Sequence, residues 1–469
     1  MPLSNEQIET LALFNVDPDI VEDFSFTNVD GQSFGYILLR DQRPPCPDCH
    51  NEDVKIKGYE LKRINYGVLA DRKLILIYRA RRYICPVCRR TFYEPNPFCY
   101  KSMKISAMTV KNVLRDLKSQ SETFTSVAQR YHISPTSVAS IFDQHVQMDR
   151  LPLPEMIIID ETYAFVHKGE KSKYVFTILD YVTQEPIDIL PSRKLNYLKS
   201  YFLNIPKEER DKVKMFATDM NAEYRTLIRD IFPKTIHSAD RFHVTMECSR
   251  KTDDVRKRVM KKIPKHIKNT NQLTPEYYLL KEFSWLIFKR PDAKDSDGKP
   301  YLDPNRERRM NRKLQRMLNY YDIRVLIEAI DPDLKAAWRL KDYLVDFYSE
   351  NTYDTAPEAL RDLIHDFSSS NIEEMRHFGR TLRNWSAEII NSFIVVGNSY
   401  RVDKETGQVV ISERKLNTGI LESRNSIIKT IKKNSNGYAN WDRFRNRCLY
   451  VLRHDAAPRL NPIARKEKK

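Results

Sequence analysis

No run of 18 apolar residues occurs in the chain, so no segment reads as a helix that could span a bilayer. The opening residues, MPLSNEQIET, lack a basic region followed by an apolar core. A secretory signal is therefore not evident, and a cytoplasmic location is the expectation. Glycine is scarce, with 11 in 469 residues, and no internal repeat or long low-complexity stretch is found. Acidic charge is in deficit: 63 Asp plus Glu against 79 Lys plus Arg leaves a formal charge of +16. That balance favours a polyanionic partner, with nucleic acid first and an anionic membrane surface second, although a merely solvated surface has the same composition. What is present is enough for packed cores, since 41% of residues are apolar. The length allows about three to five domains. The expected chain is mixed and helix-rich rather than disordered.

Of seven cysteines, four fall in two pairs, Cys46-Pro-Asp-Cys49 and Cys85-Pro-Val-Cys88. Two such knuckles supply four thiolates, the donor set of a structural Zn²⁺. A disulfide pair or a redox motif is the competing reading. A reducing compartment disfavours the first, and the doubled motif disfavours the second. The 35 residues between Cys49 and Cys85 contain KRINYGVLA and KLILIYRARRYI, which read as a strand hairpin. Arg79, Arg81, Arg82, Arg89 and Arg90 crowd the second knuckle and are expected to grip phosphates, while Cys99, Cys248 and Cys448 stand alone.

Helical spacing follows from Ser106 to Lys118 and from Thr123 to Tyr131. After a break at His132-Ile133 it resumes from Ser134 to about Val146. Ser134 suits an N-cap and Pro135 a first helical turn. The pattern fits a helix-turn-helix whose second helix presents Thr136, Ser137, Ser140 and Gln144 to a major groove. An ordinary helical hairpin has a similar pattern.

Beyond Pro152 and Pro154 the order is three strands, helix, strand, helix, strand, helix. Glu155-Met-Ile-Ile-Ile-Asp160 and Val213-Lys-Met-Phe-Ala-Thr-Asp219 are apolar strands that each end on a carboxylate. Such carboxylates are costly to bury unless something neutralises them. A pair of them with oxygen-only donors favours Mg²⁺ or Mn²⁺ and phosphodiester chemistry. Taken singly, each could be a turn aspartate. A third carboxylate, Glu422, opens a helix whose one face carries Glu422, Asn425, Lys429, Lys432 and Lys433, while Ile420, Ile427, Ile428 and Ile431 form the packing face. A lone carboxylate on a basic stripe fits a metal ligand beside phosphate-binding lysines. Glu161, next to Asp160, points to the other side of an extended strand and is the weaker ligand candidate.

The cysteine knuckles, the helix pair, Ile159-Asp160-Glu161, Thr218-Asp219-Met220 with Tyr224, and Ala239-Asp240-Arg241-Phe242-His243-Val244 occur in one order. Thr418-Gly-x-x-Glu422-x-x-Asn425, Gly437-Tyr438 and Phe444-Arg445-x-Arg447 complete it. Together they resemble the DDE transposases of bacterial insertion sequences, specifically the ISL3 family, over about residues 40–250 and 380–455. The resemblance implies a ribonuclease-H-like core with the catalytic, metal-holding triad at Asp160, Asp219 and Glu422. It also implies that Asp240 and His243, with Asn425, support the active site. A homodimer on double-stranded DNA is further implied, which would recognise terminal inverted repeats, cut the strands and join them to target DNA. A regulator without catalysis and a structure-specific nuclease on the same core are the rival readings.

The expected organisation is an N-terminal segment over 1–40, a zinc-binding module over 41–100 and a helix-turn-helix over 101–150. The core's first part falls at 155–250, a mainly helical insertion at 251–412, the last catalytic and C-terminal helices at 413–455, and a basic tail at 456–469. Within the insertion, Tyr277–Phe288, Arg306–Tyr320, Leu334–Tyr348 and Ile372–Phe393 have helical spacing, and a hairpin is expected at Tyr400–Ile411. Nine cations between Arg250 and Lys268 could track a DNA backbone or form a solvated helix face.

Overall fold

Long alternating strands, and not the cysteines alone, build the N-terminal region. A computed structural model describes residues 3–101, 103–165, 173–402 and 407–459. The chain divides into two compact units. One comprises Met1–Arg150, Tyr163–Lys173 and Ser426–Lys469; the other comprises Leu151–Thr162 and Tyr174–Asn425. No helix among the described residues is long and apolar enough to cross a membrane.

In the first unit, helix α1 (Asn5–Leu13) is closed by a Ser4–Gln7 capping box. Strands β1 (Val21–Val29), β2 (Gln32–Leu39), β3 (Lys55–Leu69), β4 (Arg72–Ile84) and β5 (Thr91–Tyr93) share one sheet. Its order is β1-β2-β4-β3, with β5 pairing β4. The expected N-terminal segment shares its sheet with the strands between the cysteine knuckles: β2 pairs parallel with β4, Ser33 opposite Leu74. Phe14, Phe24, Tyr66, Leu76 and Tyr78 pack in the same core. Parallel partners distant in sequence leave no local signal, which is why strand spacing alone missed the connection.

Three helices follow, α2 (Ala107–Asp116), α3 (Phe124–Arg130) and α4 (Pro135–His145). Ser106, Thr123 and Ser134 each accept an N–H as N-cap. His132 takes φ +50° in the turn between α3 and α4. The helix Trp441–Leu452 belongs to this unit. Arg447 donates to the carbonyls of Ser119 (2.8 Å) and Glu122 (2.9 Å), and the Tyr450 hydroxyl donates to that of Leu114 (3.1 Å). Of the expected basic tail, residues 460–469 lie outside those described.

The second unit holds a five-stranded sheet of β6 (Met156–Tyr163), β7 (Tyr174–Asp180), β8 (Pro186–Leu190), β9 (Met215–Thr218) and β10 (Ile236–Ala239), in the order β10-β9-β6-β7-β8. β6 runs parallel to β9 and β9 to β10, while β7 and β8 are antiparallel. β7, β8 and β9 are apolar runs buried on both faces, as strands covered by helices must be. Helices α5 (Leu195–Leu203), α6 (Lys207–Arg210) and α7 (Ala222–Ile231) connect the strands, with Leu198, Phe202, Leu227 and Ile228 against Ile157, Phe176 and Phe216.

From the sheet, α8 (Arg241–Lys262) leads into the insertion. There α9 (Pro275–Glu282), the hairpin β11 (Arg309–Asn311) and β12 (Arg316–Leu318), α10 (Tyr320–Glu328), α11 (Pro332–Glu350), α12 (Ala356–Ser369), α13 (Glu373–Asn384) and α14 (Ser386–Asn391) follow. Their core, around Trp338, Leu344, Phe378 and Leu382, is continuous with Val244 and Cys248 of α8. The helix expected over Arg306–Tyr320 is instead a hairpin. Asn311 accepts the N–H groups of Lys313 and Leu314, and Gln315 takes φ +50°. A side chain that satisfies the turn locally outcompetes the helix. The second half of Tyr277–Phe288 is a 3₁₀ turn, and Ile372–Phe393 is two helices that meet at Trp385.

Two further strands, β13 (Val395–Val402) and β14 (Val409–Lys415), pair antiparallel and lead into helix α15 (Gly419–Asn434). Of the hairpin expected at Tyr400–Ile411, residues 403–406 lie outside those described. α15 begins in the second unit and ends in the first.

Candidate metal centres

In the first unit the two cysteine knuckles have the same backbone. Cys46 N–H donates to Asn51 O and Cys85 N–H to Arg90 O, each at 2.9 Å. His50 and Arg89 occupy matching left-handed positions, φ +58° and +61°. The four sulfurs lie within 4.8 Å of one another, with Cys46–Cys88, Cys49–Cys85 and Cys49–Cys88 each at 3.5 Å. Tetrahedral Zn–S bonds of about 2.3 Å call for sulfurs about 3.8 Å apart, so the cluster needs only slight expansion to hold the ion. Backbone N–H groups, that of Cys88 first, pull the Cys85 thiol down. Against the N–H of Arg90, desolvation and the crowded neighbouring thiols push Cys88 up, as like groups competing for charge at one site do.

The basic residues around this centre divide. Arg89 and Arg90 are exposed and Arg82 is half-buried. Arg90 pairs with Asp48 at 3.5 Å. Arg81 does not face outward as expected. It is 2% exposed and ion-paired to Glu22 and Glu94, and Glu94 also accepts from Tyr78 (2.6 Å). Strand alternation puts Arg81 on the same face as exposed Arg79, with Ala80 between them in the core. The two carboxylates closing on it, and not the strand face, bury it as a structural cation. On α4, Thr136 is exposed, and Ser137, Ser140 and Gln144 are half-buried. Ser134 engages both Thr136 and Ser137 (2.8 Å each), and Gln144 donates to Ser140 (2.7 Å). Lys429 and Lys433 are exposed in the first unit, and Lys432 lies over the Tyr163 ring at 4.3 Å.

In the second unit, parallel register lines up the carboxylates. Ile158 pairs with Ala217 and Thr218 with Ala239, so Asp219 and Asp240 directly follow β9 and β10. Asp160 stands beside them where β6, which runs on to Tyr163 and does not end on Asp160 as expected, outlasts its partner β9. Ligands bind at that end of α/β sheets because strand ends and helix starts converge there. Helix α15 packs on the sheet through Leu421, buried with Ile158, Leu179, Met215 and Ala217. This sets Glu422 near the strand ends. Asn425 is not on an exposed polar stripe: it is 3% exposed, donates to Asp160 Oδ2 at 2.9 Å and accepts from Thr177 Oγ1 at 3.3 Å.

Burial, reinforced by Asp219 and Glu422 and opposed by a backbone N–H and by His243, pushes Asp160 up to about 6. Burial and Glu161 push Asp219 to the same value against His243 and Arg193. Asp219 Oδ1 is buried without a hydrogen-bond partner. An ionised carboxylate left in this state wants a cation, and the oxygen donor set fits Mg²⁺ or Mn²⁺. Glu161 accepts from Arg193 and Tyr224 and is committed to that network.

Asp240 ties three elements together. It accepts from His243 Nδ1 (2.9 Å) on α8, and from Thr418 Oγ1 (2.7 Å) and N (3.3 Å) at the start of α15. Burial alone would raise the Asp240 pKa, but these bonds lower it. Burial would lower that of His243, but Asp240, Asp160 and Asp219 raise it. Sequence spacing gave Thr418 and Thr177 no role. A threonine just before a helix signals a cap, but its bond to a residue 178 positions away has no local trace.

The cation run on α8 is largely neutralised. Arg250 and Lys251 pair with Glu247, Arg256 and Lys257 with Asp253, and Arg258 with Asp333 and Glu374.

Residues 157–401 match the family described as Transposase, of the ISL3 type. Residues 42–88 match the zinc-finger of transposase IS204/IS1001/IS1096/IS1165. The chain is 22% identical, over 406 residues, to the transposase for insertion sequence element IS1001 of Bordetella parapertussis; the match covers 85% of this chain and 86% of that one. The chain belongs to the ISL3 family of transposases, and its cysteine cluster is the zinc-binding part of that family's architecture.

Proposed function

From membership of this family, we propose that the chain binds the terminal inverted repeats of an insertion sequence and catalyses metal-dependent cleavage and joining of DNA strands. On this reading the five-stranded sheet with α15 is a ribonuclease-H-like core. α3 and α4 form a helix-turn-helix, and the zinc module beside it shares in reading DNA. Arg82, Arg89, Arg90, Thr136, Ser137, Ser140 and Gln144, with Lys429, Lys432 and Lys433, are the proposed DNA contacts. A homodimer would hold the two ends of the element.

The observation that carries the catalytic part is the convergence of Asp160 and Asp219 from adjacent parallel strands, with a buried Asp219 oxygen left without a partner. Asp160, Asp219 and Glu422 would hold two Mg²⁺ or Mn²⁺ ions. When bound, these ions activate a water or 3′-hydroxyl and stabilise the leaving oxygen. Asn425 holds one Asp160 oxygen, leaving the other for the ion. Asp240 fixes His243 by its Nδ1 and at the same time fixes the start of the helix that carries Glu422. Cleavage of a labelled duplex carrying the element's end, with Mg²⁺ or Mn²⁺, tests the reading. Wild type should cut, and Asp219→Asn should bind without cutting. Equal cutting by the variant would remove Asp219 from the triad.

A further inference from the structure

Residues 306–317, RERRMNRKLQRM, hold six cations and one carboxylate. They fold as the β11–β12 hairpin, in the register Arg309 opposite Leu318, Met310 opposite Met317 and Asn311 opposite Arg316. Opposed residues share a face, so Met310 and Met317 stand together on the face away from Leu318, which packs toward the insertion core. Both methionines face water, at 57% and 53% exposure.

The cations separate by position. At the base of the hairpin, Arg306 pairs with Asp295 and Arg308 with Asp322. Toward the tip, Arg309, Arg312, Lys313 and Arg316 are all exposed, and none is ion-paired among the described residues. The contrast with α8 is direct, because there Arg250 to Arg258 are answered by carboxylates of their own helix and its neighbours. Four like charges on one short ribbon repel each other, and a paired methionine face in water forgoes burial. One ligand relieves both costs. Duplex DNA offers closely spaced phosphates beside an apolar groove wall of sugars. Two-stranded ribbons are narrow enough to enter a groove, and methionine is among the side chains that pack there.

We infer that this hairpin is a DNA contact separate from the zinc module and the helix pair. Met310 and Met317 lie against the groove, and Arg312 and Lys313 at the tip hold the backbone of duplex DNA without regard to sequence. They are joined by Arg309 and Arg316, whose long side chains start from the other face and reach past the two edges of the ribbon. The inference rests on the transposase reading only for the source of the duplex.

The test uses the full chain and a random-sequence, fluorescein-labelled duplex of ~40 bp, with anisotropy read from about 50 to about 300 mM KCl and no divalent ion added. The variant R309Q/R312Q/K313Q/R316Q should bind about tenfold more weakly near 0.1 M salt, and its salt slope should fall by about 3 to 4. Four scattered exposed lysines serve as the charge control, K207Q/K212Q/K234Q/K335Q, which should stay within about twofold of wild type. In the unmutated chain, saturating duplex should protect Lys313 from acetylation, a readout that needs no variant to fold. An unchanged slope, an equal loss in the control, or undiminished Lys313 reactivity would overturn the inference, and binding of an acidic protein in place of DNA would then be the role left for the charge. Because no Mg²⁺ is present, the outcome does not depend on Asp160, Asp219 or Glu422. A chain that binds but never cuts unseats the catalytic reading alone.

Discussion

The two candidate metal centres are built on opposite plans. The four cysteine sulfurs are gathered within 4.8 Å by two rigid knuckles, and among the described residues no other group of possible ligands is so tightly gathered. The carboxylates of Asp160, Asp219 and Glu422 come from two strands and a remote helix, and among the described residues they are not gathered to that distance. A closed thiolate set stabilises a fold, whereas an open carboxylate set leaves room for substrate oxygens. On the proposed reading, the chain gives one metal site to architecture and the other to chemistry.

The sharpest break of this contrast is at zinc. Structural zinc contributes on the order of 10–16 kcal/mol in small modules. Cys85→Ser, or a strong chelator, should therefore unfold the knuckle region and abolish DNA binding, as circular dichroism and anisotropy would show. Asp219→Asn should lose at least ~10³-fold in cleavage with folding retained. If it instead unfolded the chain, the carboxylate centre would be architectural too. Arg81→Gln strands the buried Glu94 and should cost about 3 kcal/mol in urea melts, whereas Arg89→Gln should leave the midpoint unchanged.

Smaller effects sharpen the picture of the open site. Asn425→Ala frees Asp160 and should lower cleavage about 10- to 100-fold, with a raised Mg²⁺ requirement. Thr177→Val should show a weaker form of the same phenotype. Asp160 and Asp219 titrate near 6 in the fold, above their ordinary value of 3.8. The folded chain therefore holds protons more tightly than the unfolded chain, and metal-free stability falls as pH rises from about 4 through 6. Mg²⁺ binds the ionised form, so it should raise the melting temperature by about 2–6 °C at pH 8 and scarcely at pH 5. Equal shifts at both pH values would place the ion elsewhere.

Local chemistry made much of this legible in the sequence. Apolar runs ending on Asp160 and Asp219 marked β6 and β9. The order of three strands, helix, strand, helix, strand, helix read beyond Pro154 is the order of β6 to α8, with only the short α6 added. Ser134-Pro135 marked the start of α4, and the doubled C-x-x-C marked the zinc site. What stayed hidden depends on partners far along the chain. Arg81 looks like any surface arginine until Glu22 and Glu94 close on it. Residues 32–39 show their place only when paired with β4, and Thr177 meets Asn425 across 248 positions. The β11–β12 hairpin was hidden for a different reason. Its turn rests on Asn311 and a left-handed Gln315, with no glycine or proline to announce it.

The 203 positions between Asp219 and Glu422 also set a schedule. At about 5–20 residues per second, roughly 10 to 40 s of synthesis separate them. On the proposed reading, the nascent chain carries two of its three acidic ligands during that interval, and the sheet face that Leu421 will cover remains bare. Glu422, which on that reading completes the site, therefore arrives with the cover of that face. On the proposed reading, an unfinished chain cannot cleave DNA, and for the same interval it exposes an apolar surface that a ribosome-associated chaperone could hold.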